Sequence, residues 1–157
     1  MTVRIGHGYD IHRLQSGGKL LLGGIVVAEN VSPISHSDGD VVIHAIVDAI
    51  LGAAGRGDIG EHFPDSDPKW KGAASSLFLE QVIRELHHDA WFVGNVDVTI
   101  MAQRPKIKPF KAKMVERLAA MMDCEVNIKA GTNEECDAIG RGEAIAAHAV
   151  VLIQRNE

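Results

Sequence analysis

The pentapeptide at positions 8–12, Gly-Tyr-Asp-Ile-His, is the feature that most restricts how this chain can fold. Asp10 and His12 are two residues apart, so in an extended segment both side chains leave the same face of the strand. His44 lies in a later run that is predicted to be helical. Together they would form an Asp/His/His set, the number of protein ligands that a catalytic zinc uses while its fourth position stays open. The alternative is a capped turn followed by an unrelated helix histidine.

The segment 40–54 carries the clearest helical pattern in the chain. Its apolar residues recur at helical spacing; they are Val42, Ile46, Ala49, Ile50 and Ala53. Asp38 or Asp40 can act as the N-cap by accepting the free amide hydrogens at the start of the helix. Gly55 is expected to end it.

Two carboxylates on this helix are candidates to support His44. Asp40 and Asp48 each lie four residues from it on the same helix face, so either could hold the second ring nitrogen. The alternative for both is a solvent-exposed face or a cap. Three other histidines are interpreted as standing singly, without a functional role; they are His7, His62 and His148.

Composition restricts the function classes that the chain can serve. Its 157 residues suit a single domain over 1–157, and with 46% hydrophobic and 24% charged residues it can bury an ordinary core. The net charge of −5 and the aromatic content of 4% argue against a nucleic-acid partner. The two cysteines give no disulfide framework, and no apolar run approaches the ~20 residues of a membrane helix. We therefore expect a cytoplasmic protein with no nucleic-acid or membrane partner.

The pattern of the whole chain predicts an α+β fold. The expected strands are 3–9, 19–22, 25–27, 91–102, 125–129 and 144–154, and the expected helices are 40–54, 75–88 and 110–122. Loops are expected over 30–37, 56–72, 105–109 and 132–142. Strands and helices mix without strict alternation, which favours a single two-layer domain with one mixed β-sheet covered on one face by helices. Oligomerisation is the economical way to cover the other face of the sheet.

Two polar segments of the first half are candidates for binding an anion or a sugar. His36 and Ser37 precede the helix 40–54, whose free amides attract an anion, and His36 could donate to a phosphate oxygen. The second segment is a glycine- and proline-shaped loop whose carboxylates could bind sugar hydroxyls or a metal. Its candidate residues are Asp58, Ile59, Gly60, Phe63, Asp65 and Asp67. The alternatives are a loop histidine beside a cap and a polar surface turn.

The second half contributes two further candidate segments. Residues 102–108 follow a strand end, and their backbone could form the floor of a base pocket with Lys106 near a phosphate. Arg141 stands between two glycines and can approach a phosphate closely, and Glu134 could hold a magnesium ion. The alternatives are a solvated basic loop and an Arg–Glu surface network. Cys136 has no paired base and is interpreted as structural.

Together these segments resemble the 2-C-methyl-D-erythritol 2,4-cyclodiphosphate synthase family of the non-mevalonate isoprenoid pathway. The matching segments follow the order of the family along essentially the whole chain. They are Arg4–His12, His36–Asp40 with His44, Gly57–Gly60, Phe63–Pro68, Gly94–Asp97, Ala102–Lys106 and Gly140–Glu143.

The resemblance implies a homotrimer whose active sites lie between neighbouring subunits. It implies one zinc ion per subunit on Asp10, His12 and His44, and a second divalent ion, magnesium or manganese, held through Glu134 with the substrate diphosphate. The implied substrate is 4-diphosphocytidyl-2-C-methyl-D-erythritol 2-phosphate. Its 2-phosphate attacks the β-phosphorus, cytidine monophosphate leaves and a cyclic diphosphate forms, which makes the enzyme a phosphorus–oxygen lyase.

The resemblance also assigns roles to individual residues. His36 and Thr132 are implied to be catalytic, by donating to the reorganising phosphates. The segment 102–108 is implied to hold the cytosine, and Asp65 the erythritol end. The full set of implied substrate-binding residues is Ser37, Asp58, Ile59, Gly60, Phe63, Asp65, Asp67, Ala102, Pro105, Lys106, Ile107, Lys108, Gly131, Asn133, Ala138 and Arg141.

The chain departs from the family pattern at 136–138, where Cys-Asp-Ala stands in place of the usual Leu-Gly-Phe. In the family the aromatic residue helps to line a cavity on the trimer axis that can hold an isoprenoid diphosphate. Ala138 and the charged Asp137 therefore predict weak or no binding in that cavity. Gly131 and Asn133 also replace a common threonine pair.

Two other functions fit the same residues. In a zinc hydrolase, water would occupy the open position of the metal. In a trimeric nucleotide-sensing module, cytidine nucleotides would bind without turnover. The diphosphocytidyl substrate, supplied with zinc and magnesium, distinguishes the three: a cyclase gives a cyclic product, a hydrolase gives a linear one and a sensor gives none.

Overall fold

The computed structural model describes residues 1–155 and contains the predicted mixture of strands and helices. Its strands are β1 (Thr2–Ser16), β2 (Leu20–Leu22), β3 (Ile25–Ala28), β4 (Val31–Pro33), β5 (Phe92–Met101), β6 (Glu125–Gly131) and β7 (Ala144–Arg155). Its helices are α1 (Val41–Ala54), α2 (Ile59–His62), α3 (Ser75–His88), α4 (Lys111–Met122) and α5 (Asp137–Gly140), with 3-10 turns at Pro68–Trp70 and Lys108–Phe110. Within these residues, no helix has the length and apolar character needed to cross a membrane.

In the part of the chain that the structure describes, five strands form one sheet in the order β4-β1-β7-β5-β6. β5 and β6 are parallel, whereas β1 pairs antiparallel with β4 and β7, and β7 pairs antiparallel with β5. β2 and β3 form a separate antiparallel hairpin. The predicted α+β fold with one mixed sheet is therefore confirmed.

The helices lie on one face of this sheet. α1 packs against β1 and β7, α3 contacts β5, and α4 contacts β6. Alternation along the central strands directs apolar side chains toward these helices. The buried residues on that face of β5 and β7 are Val96, Val98, Ile100, Ile145, Ala147, Ala149, Val151 and Ile153.

The opposite face of the sheet carries exposed apolar side chains. On β1, Val3 is 50% exposed and Ile5 is 71% exposed, and Tyr9 and Ile11 are also exposed; Val150 is exposed on the neighbouring β7. A cluster of apolar side chains left open to solvent is typical of an interaction surface. Packing of copies of the chain through this face stays a prediction.

Two histidines that we interpreted as standing singly meet on this open face. His7 Nε2 lies 2.8 Å from His148 Nδ1, and the rings of Tyr9 and His148 have centroids 4.6 Å apart. The two residues are far apart in the sequence, and the β1–β7 register, which places Tyr9 directly opposite His148, brings them together.

The first strand extends well beyond the predicted segment 3–9. β7 pairs with β1 from Thr2 to Arg13, and β4 continues the pairing from Leu14 to Ser16. The segment 31–33, predicted as loop, is therefore a short strand. Both differences arise from tertiary pairing, which local residue preference does not reveal.

Two predicted loops contain single helical turns held by side-chain caps. In the segment 56–72, Asp58 accepts the Glu61 amide at 3.0 Å at the start of α2, and Asp67 accepts the Lys69 amide at 2.9 Å at the 3-10 turn. In the segment 132–142, Asp137, the first residue of α5, accepts the amides of Ile139 at 2.7 Å and Gly140 at 3.1 Å. The carboxylates that made these segments look like polar loops are the groups that start the turns.

The start of α1 is fixed by one buried carboxylate. Asp40 accepts the amides of Gly23 at 2.9 Å and Gly24 at 2.7 Å, and two amides of the first turn of α1 at 3.1 Å each. It is therefore the N-cap and also ties the β2–β3 hairpin to the helix. The helix ends at Gly55, whose φ of +70° is left-handed, as predicted.

Candidate metal centre and substrate cavities

The two backbones of β1 and α1 touch beside the predicted metal ligands. A Cβ added to Gly8 would lie 1.9 Å from the carbonyl oxygen of Ala45, so only glycine permits this approach. Asp10 and His12 follow Gly8 on the same face of the strand, and His44 precedes Ala45 on the helix. The close approach thus brings the strand pair and the helix histidine together.

The three side chains converge as the sequence predicts. Asp10 Oδ2 lies 2.9 Å from His44 Nδ1 and 3.1 Å from His12 Nε2, and the two ring nitrogens are 3.4 Å apart. All three side chains are largely buried. Within residues 1–155, Asp10, His12 and His44 form a cluster whose ligand atoms all lie within 4.8 Å of one another, close enough to hold one metal ion.

The spacing of these atoms leaves them close enough together to share one metal ion. Ligands at 2.0–2.1 Å from a tetrahedral zinc are separated by about 3.3 Å, close to the observed range of 2.9 to 3.4 Å. One carboxylate and two imidazoles form a common donor set for zinc and related ions. The residues therefore fit a divalent metal ion.

The charge state of Asp10 also suits a cation. Burial favours the neutral acid, but the hydrogen bonds and charges of His12 and His44 outweigh it, so the pKa of Asp10 lies well below its ordinary value. For His12, burial lowers the pKa, but the hydrogen bond and charge of Asp10 outweigh it and raise the pKa overall. Asp10 is therefore a carboxylate at neutral pH.

The second ring nitrogen of His44 faces two hydroxyls. Nε2 lies 2.8 Å from Ser75 Oγ and 3.2 Å from Ser37 Oγ. Ser75 Oγ in turn donates to Asp38 Oδ1, and the Ser75 amide donates to Asp38 Oδ2 at 2.9 Å. Sequence reasoning missed Ser75, and it considered Asp38 only as a helix cap.

The prediction that Asp40 or Asp48 holds this nitrogen is wrong. Asp40 turns its carboxylate to the amides at the start of α1, and Asp48 accepts the Ile59 amide at 3.2 Å. Both carboxylates satisfy free backbone amides that have no other acceptor, whereas His44 reaches α3 instead.

A cavity of about 620 Å³ opens at the metal ligands, and we call it the Asp10 cavity. It brings together most of the site residues predicted from the first half of the chain: Asp10, His12, His36, Ser37, His44, Ile59, Gly60, Phe63 and Asp65. At its wall, His36 Nε2 lies 3.4 Å from the carbonyl oxygen of Asp67. Asp58 and Asp67 sit beside these residues as turn caps.

An aromatic cluster that sequence reasoning missed forms part of this cavity. Phe78 stacks on Phe63 at 4.5 Å between ring centroids and on His44 at 6.0 Å, and Trp70 meets Phe78 edge-on at 5.3 Å. Phe78 precedes Leu79 in the buried stripe of α3, so the helical pattern could have found it. The other unpredicted lining residues are Ile34, Ser35 and Pro64.

A separate cavity of about 420 Å³, the Lys106 cavity, gathers residues predicted from the second half. Those residues are Ala102, Pro105, Lys106, Ile107, Lys108, Gly131 and Thr132. Lys111 adds a further positive charge, and Gln103 also lines the cavity. Gln103 Oε1 is buried with no hydrogen-bond donor among residues 1–155.

The remaining predicted residues lie on the exposed segment that follows β6. Thr132 Oγ1 donates to Glu134 Oε1, and Arg141 forms a two-point ion pair with Glu143. Asn133 donates to Asp137 at 2.9 Å. Ala138 packs in a small cluster with Ile139, Ala144, Ala146 and Met101. Within one chain, the structure thus places the predicted site in two separate parts.

Comparison with known proteins agrees with the motifs. A model of the YgbB family matches residues 3–154. The 2-C-methyl-D-erythritol 2,4-cyclodiphosphate synthase of Pseudomonas savastanoi pv. phaseolicola is 50% identical over 157 residues, covering 98% of this chain and 99% of that protein.

Solved structures share the fold. The bifunctional IspDF from Campylobacter jejuni matches with a TM-score of 0.95 and 38% identity over 99% of this chain, which spans 43% of that longer protein. The CDP complex of IspF from Plasmodium falciparum matches with a TM-score of 0.86 and 34% identity, covering 99% of this chain and 97% of that one. These matches confirm the resemblance that the motifs predicted: the chain belongs to the YgbB family, together with these 2-C-methyl-D-erythritol 2,4-cyclodiphosphate synthases.

Proposed function

We propose that this chain is the phosphorus–oxygen lyase that converts 4-diphosphocytidyl-2-C-methyl-D-erythritol 2-phosphate to 2-C-methyl-D-erythritol 2,4-cyclodiphosphate and CMP. The observation that carries the proposal is the convergence of Asp10, His12 and His44 at a cavity lined by other residues of the family motifs. The family match and the name of the bacterial relative support the same reaction.

Asp10, His12 and His44 would hold one zinc ion per subunit. Bound there, zinc supplies a Lewis acid that polarises the β-phosphate. The three side chains supply one negative and two neutral donors, and burial by the surrounding helices limits competition from water. Their convergence before any substrate binds means that little reorganisation is required.

His36 and Ser37 would donate hydrogen bonds to phosphate oxygens from the wall of the Asp10 cavity. Both side chains are half-buried and line the cavity. The contact of His36 Nε2 with the carbonyl oxygen of Asp67 is long at 3.4 Å, so a phosphate oxygen is the better acceptor.

The segment 58–67 would contact the sugar ends of the substrate. By resemblance, Asp58 and Gly60 bind the ribose and Asp65 binds the erythritol hydroxyls. The Asp58 and Asp65 side chains are exposed, which leaves their oxygens open to hydroxyl donors. Other contacts in this segment would come from Ile59, Phe63 and Asp67.

The Lys106 cavity would bind the cytosine and the neighbouring phosphate. Backbone groups of 102–108 would read the base, with Lys106 near a phosphate. The buried acceptor on Gln103 suits a ligand that brings a donor, such as the amino group of cytosine. The residues assigned to this part are Ala102, Pro105, Lys106, Ile107 and Lys108. The CDP complexes among the related structures support a cytidine nucleotide as ligand.

The segment after β6 would handle the diphosphate. Thr132 would donate to the reorganising phosphates, and Glu134 would hold a magnesium or manganese ion with the substrate diphosphate. Arg141 would leave its exposed partner Glu143 for a phosphate, a stronger two-point acceptor. Gly131, Asn133 and Ala138 would complete this surface.

We further propose that the complete site forms between subunits of a homotrimer. The two cavities of one chain are separate, so the Asp10 cavity of one subunit would face the Lys106 cavity of its neighbour. The apolar outer face of the sheet would pack against the same face of the other two subunits. This packing would also remove that face from water.

The reaction needs no protein nucleophile. An oxygen of the 2-phosphate forms a bond to the β-phosphorus, and the bond from that phosphorus to the oxygen bridging to the α-phosphate breaks. CMP leaves with the bridging oxygen. The chain acts by holding the two phosphates in line and by stabilising the charge that moves between them.

Turnover with zinc and magnesium, followed by ³¹P NMR of the products, tests the proposal. We expect CMP and a product in which both phosphorus atoms belong to one cyclic diphosphate. CMP with a linear product would show a hydrolase instead. Binding of cytidine nucleotides by metal-replete protein without turnover would show a sensor.

A further inference from the structure

We propose that Ser75 and Asp38 are positioning residues that fix His44 as a metal ligand through a hydrogen-bond relay, His44–Ser75–Asp38. The inference rests on the proposed metal site and deepens it. It assigns a proton of His44 to Nε2, so that Nδ1, which lies 2.9 Å from Asp10 Oδ2, is the nitrogen that would bind the ion once the ion displaces the proton shared with Asp10.

The direction of the relay follows from the donors and acceptors present. Both Asp38 oxygens accept from Ser75: Oδ1 from the hydroxyl and Oδ2 from the amide at 2.9 Å. The Ser75 hydroxyl has one proton, which it gives to Asp38. Its oxygen can then only accept from His44 Nε2, 2.8 Å away. His44 must therefore carry its proton on Nε2.

The fold holds Asp38 in place for this task. α3 begins at Ser75, and its N-cap residue, Ala74, offers no side-chain cap. Asp38 supplies that cap from another segment by accepting the Ser75 amide, and the positive end of the helix favours its negative charge. The Asp40 amide also donates to Asp38 at 3.2 Å.

Burial makes the relay effective. Ser75 is fully buried and His44 is 8% exposed, so water does not compete for these hydrogen bonds. An acceptor on the far nitrogen of a metal-binding histidine fixes the tautomer, orients the ring and increases the basicity of the ligand nitrogen. Ser37 Oγ is a poorer substitute, because it lies 3.2 Å from Nε2 and also accepts the Gly39 amide.

Zinc affinity and histidine NMR of the full chain test the inference. In Ser75→Ala, we expect zinc affinity, measured by chelator competition, to fall about 10–100-fold. Ser76→Ala is the matched control, because Ser76 is the next residue on α3 and its side chain makes no hydrogen bond within residues 1–155. We expect its affinity to equal that of the wild type. Equal affinities in Ser75→Ala and wild type would overturn the inference.

The Nε2 proton of His44 supplies a readout that a purely structural role would not change. In ¹⁵N–¹H spectra of metal-free wild type, we expect His44 Nε2 to carry a proton that exchanges slowly with water, and we expect faster exchange of that proton in Ser75→Ala. An unprotonated Nε2 in wild type would overturn the inference. If the wild type shows the protonated Nε2 but binds no zinc, the proposed metal site fails while the hydrogen-bond relay stands.

Asp38→Asn tests whether the two residues act as one unit. Asparagine keeps the size of the side chain and removes its charge. We expect this change to weaken zinc binding severalfold when Ser75 is present and to have no effect in the Ser75→Ala background. Independent, multiplicative losses in the double variant would contradict the relay. Circular dichroism spectra matching wild type would show that each variant is folded.

Discussion

Gly8 and Ala45 are in direct backbone contact: a Cβ on Gly8 would lie 1.9 Å from the Ala45 carbonyl oxygen. The contact packs β1 against α1 one residue after His44 and two residues before Asp10. The position of the candidate metal centre therefore depends on Gly8, which has no side chain that could bind the metal.

Replacing this glycine should separate the strand from the helix. We expect Gly8→Ala to lower the free energy of unfolding by about 3 kcal/mol or more, because the helix backbone cannot move without repacking the core. Denaturant unfolding at one fixed protein concentration measures the change.

Gly52 in the same helix is the matched control. A Cβ there meets nothing within 4 Å, so Gly52→Ala should raise the free energy of unfolding by about 0.5–1 kcal/mol. Equal stability of the Gly8→Ala and Gly52→Ala variants would contradict the tight contact.

His44→Ala should remove the bound metal and leave the fold. The side chain supplies one of three converging donors, and the rest of α1 keeps its caps and buried face. We expect zinc content near zero, loss of turnover and an unchanged circular dichroism spectrum. His88→Ala, which alters an exposed histidine, should keep full zinc content. Unchanged zinc stoichiometry in His44→Ala would refute the ligand set.

Asp137 occupies a backbone conformation that usually requires glycine. Its φ is +57°, and its carboxylate accepts the amides of Ile139 at 2.7 Å and Gly140 at 3.1 Å. We expect Asp137→Ala to destabilise the protein by about 1–2 kcal/mol, since the strain stays while the hydrogen bonds are lost. Asp137→Gly loses the same bonds but relieves the strain, so its thermal midpoint should fall less. The reverse order would show that the backbone conformation does not matter.

Cys124 should react slowly with alkylating agents at neutral pH. Burial, with the charges of Asp123 and Glu125, raises the pKa of its thiol to about 11. Since the thiolate is the reactive form, the alkylation rate of the Cys136→Ser variant should rise about tenfold per pH unit between pH 8 and 10. A plateau already at pH 9 would show that the thiol is not shielded.

Local periodicity predicted the elements that carry the centre of the site, and the family resemblance predicted that the three side chains meet. Strand parity places Asp10 and His12 on one face, and helical spacing places His44 on a helix, so only their packing had to be assumed. The same periodicity gave the long helices and the edges of β5, β6 and β7 to within two residues.

The support of the site was not predictable in this way. Ser75 is 31 residues from His44 and 37 residues from Asp38 in the sequence. Separations of this size cannot be inferred from the repeat of a helix or a strand. Phe78 and Trp70 likewise reach the cavity through tertiary packing. Asp40 and Asp48 lie near His44 in sequence, but their carboxylates accept backbone amides instead of the His44 ring nitrogen. For this reason, the role predicted for them from sequence was wrong.

We propose that one active site is built from the Asp10 cavity of one subunit and the Lys106 cavity of the next. Co-expression of His44→Ala with Thr132→Ala in equal amounts tests it directly, because each variant damages a different part. Each variant alone should be inactive. In randomly mixed trimers, about a quarter of the sites should combine two intact parts, so the mixture should recover about a quarter of wild-type turnover. A mixture no more active than the separate variants would contradict a site shared between subunits.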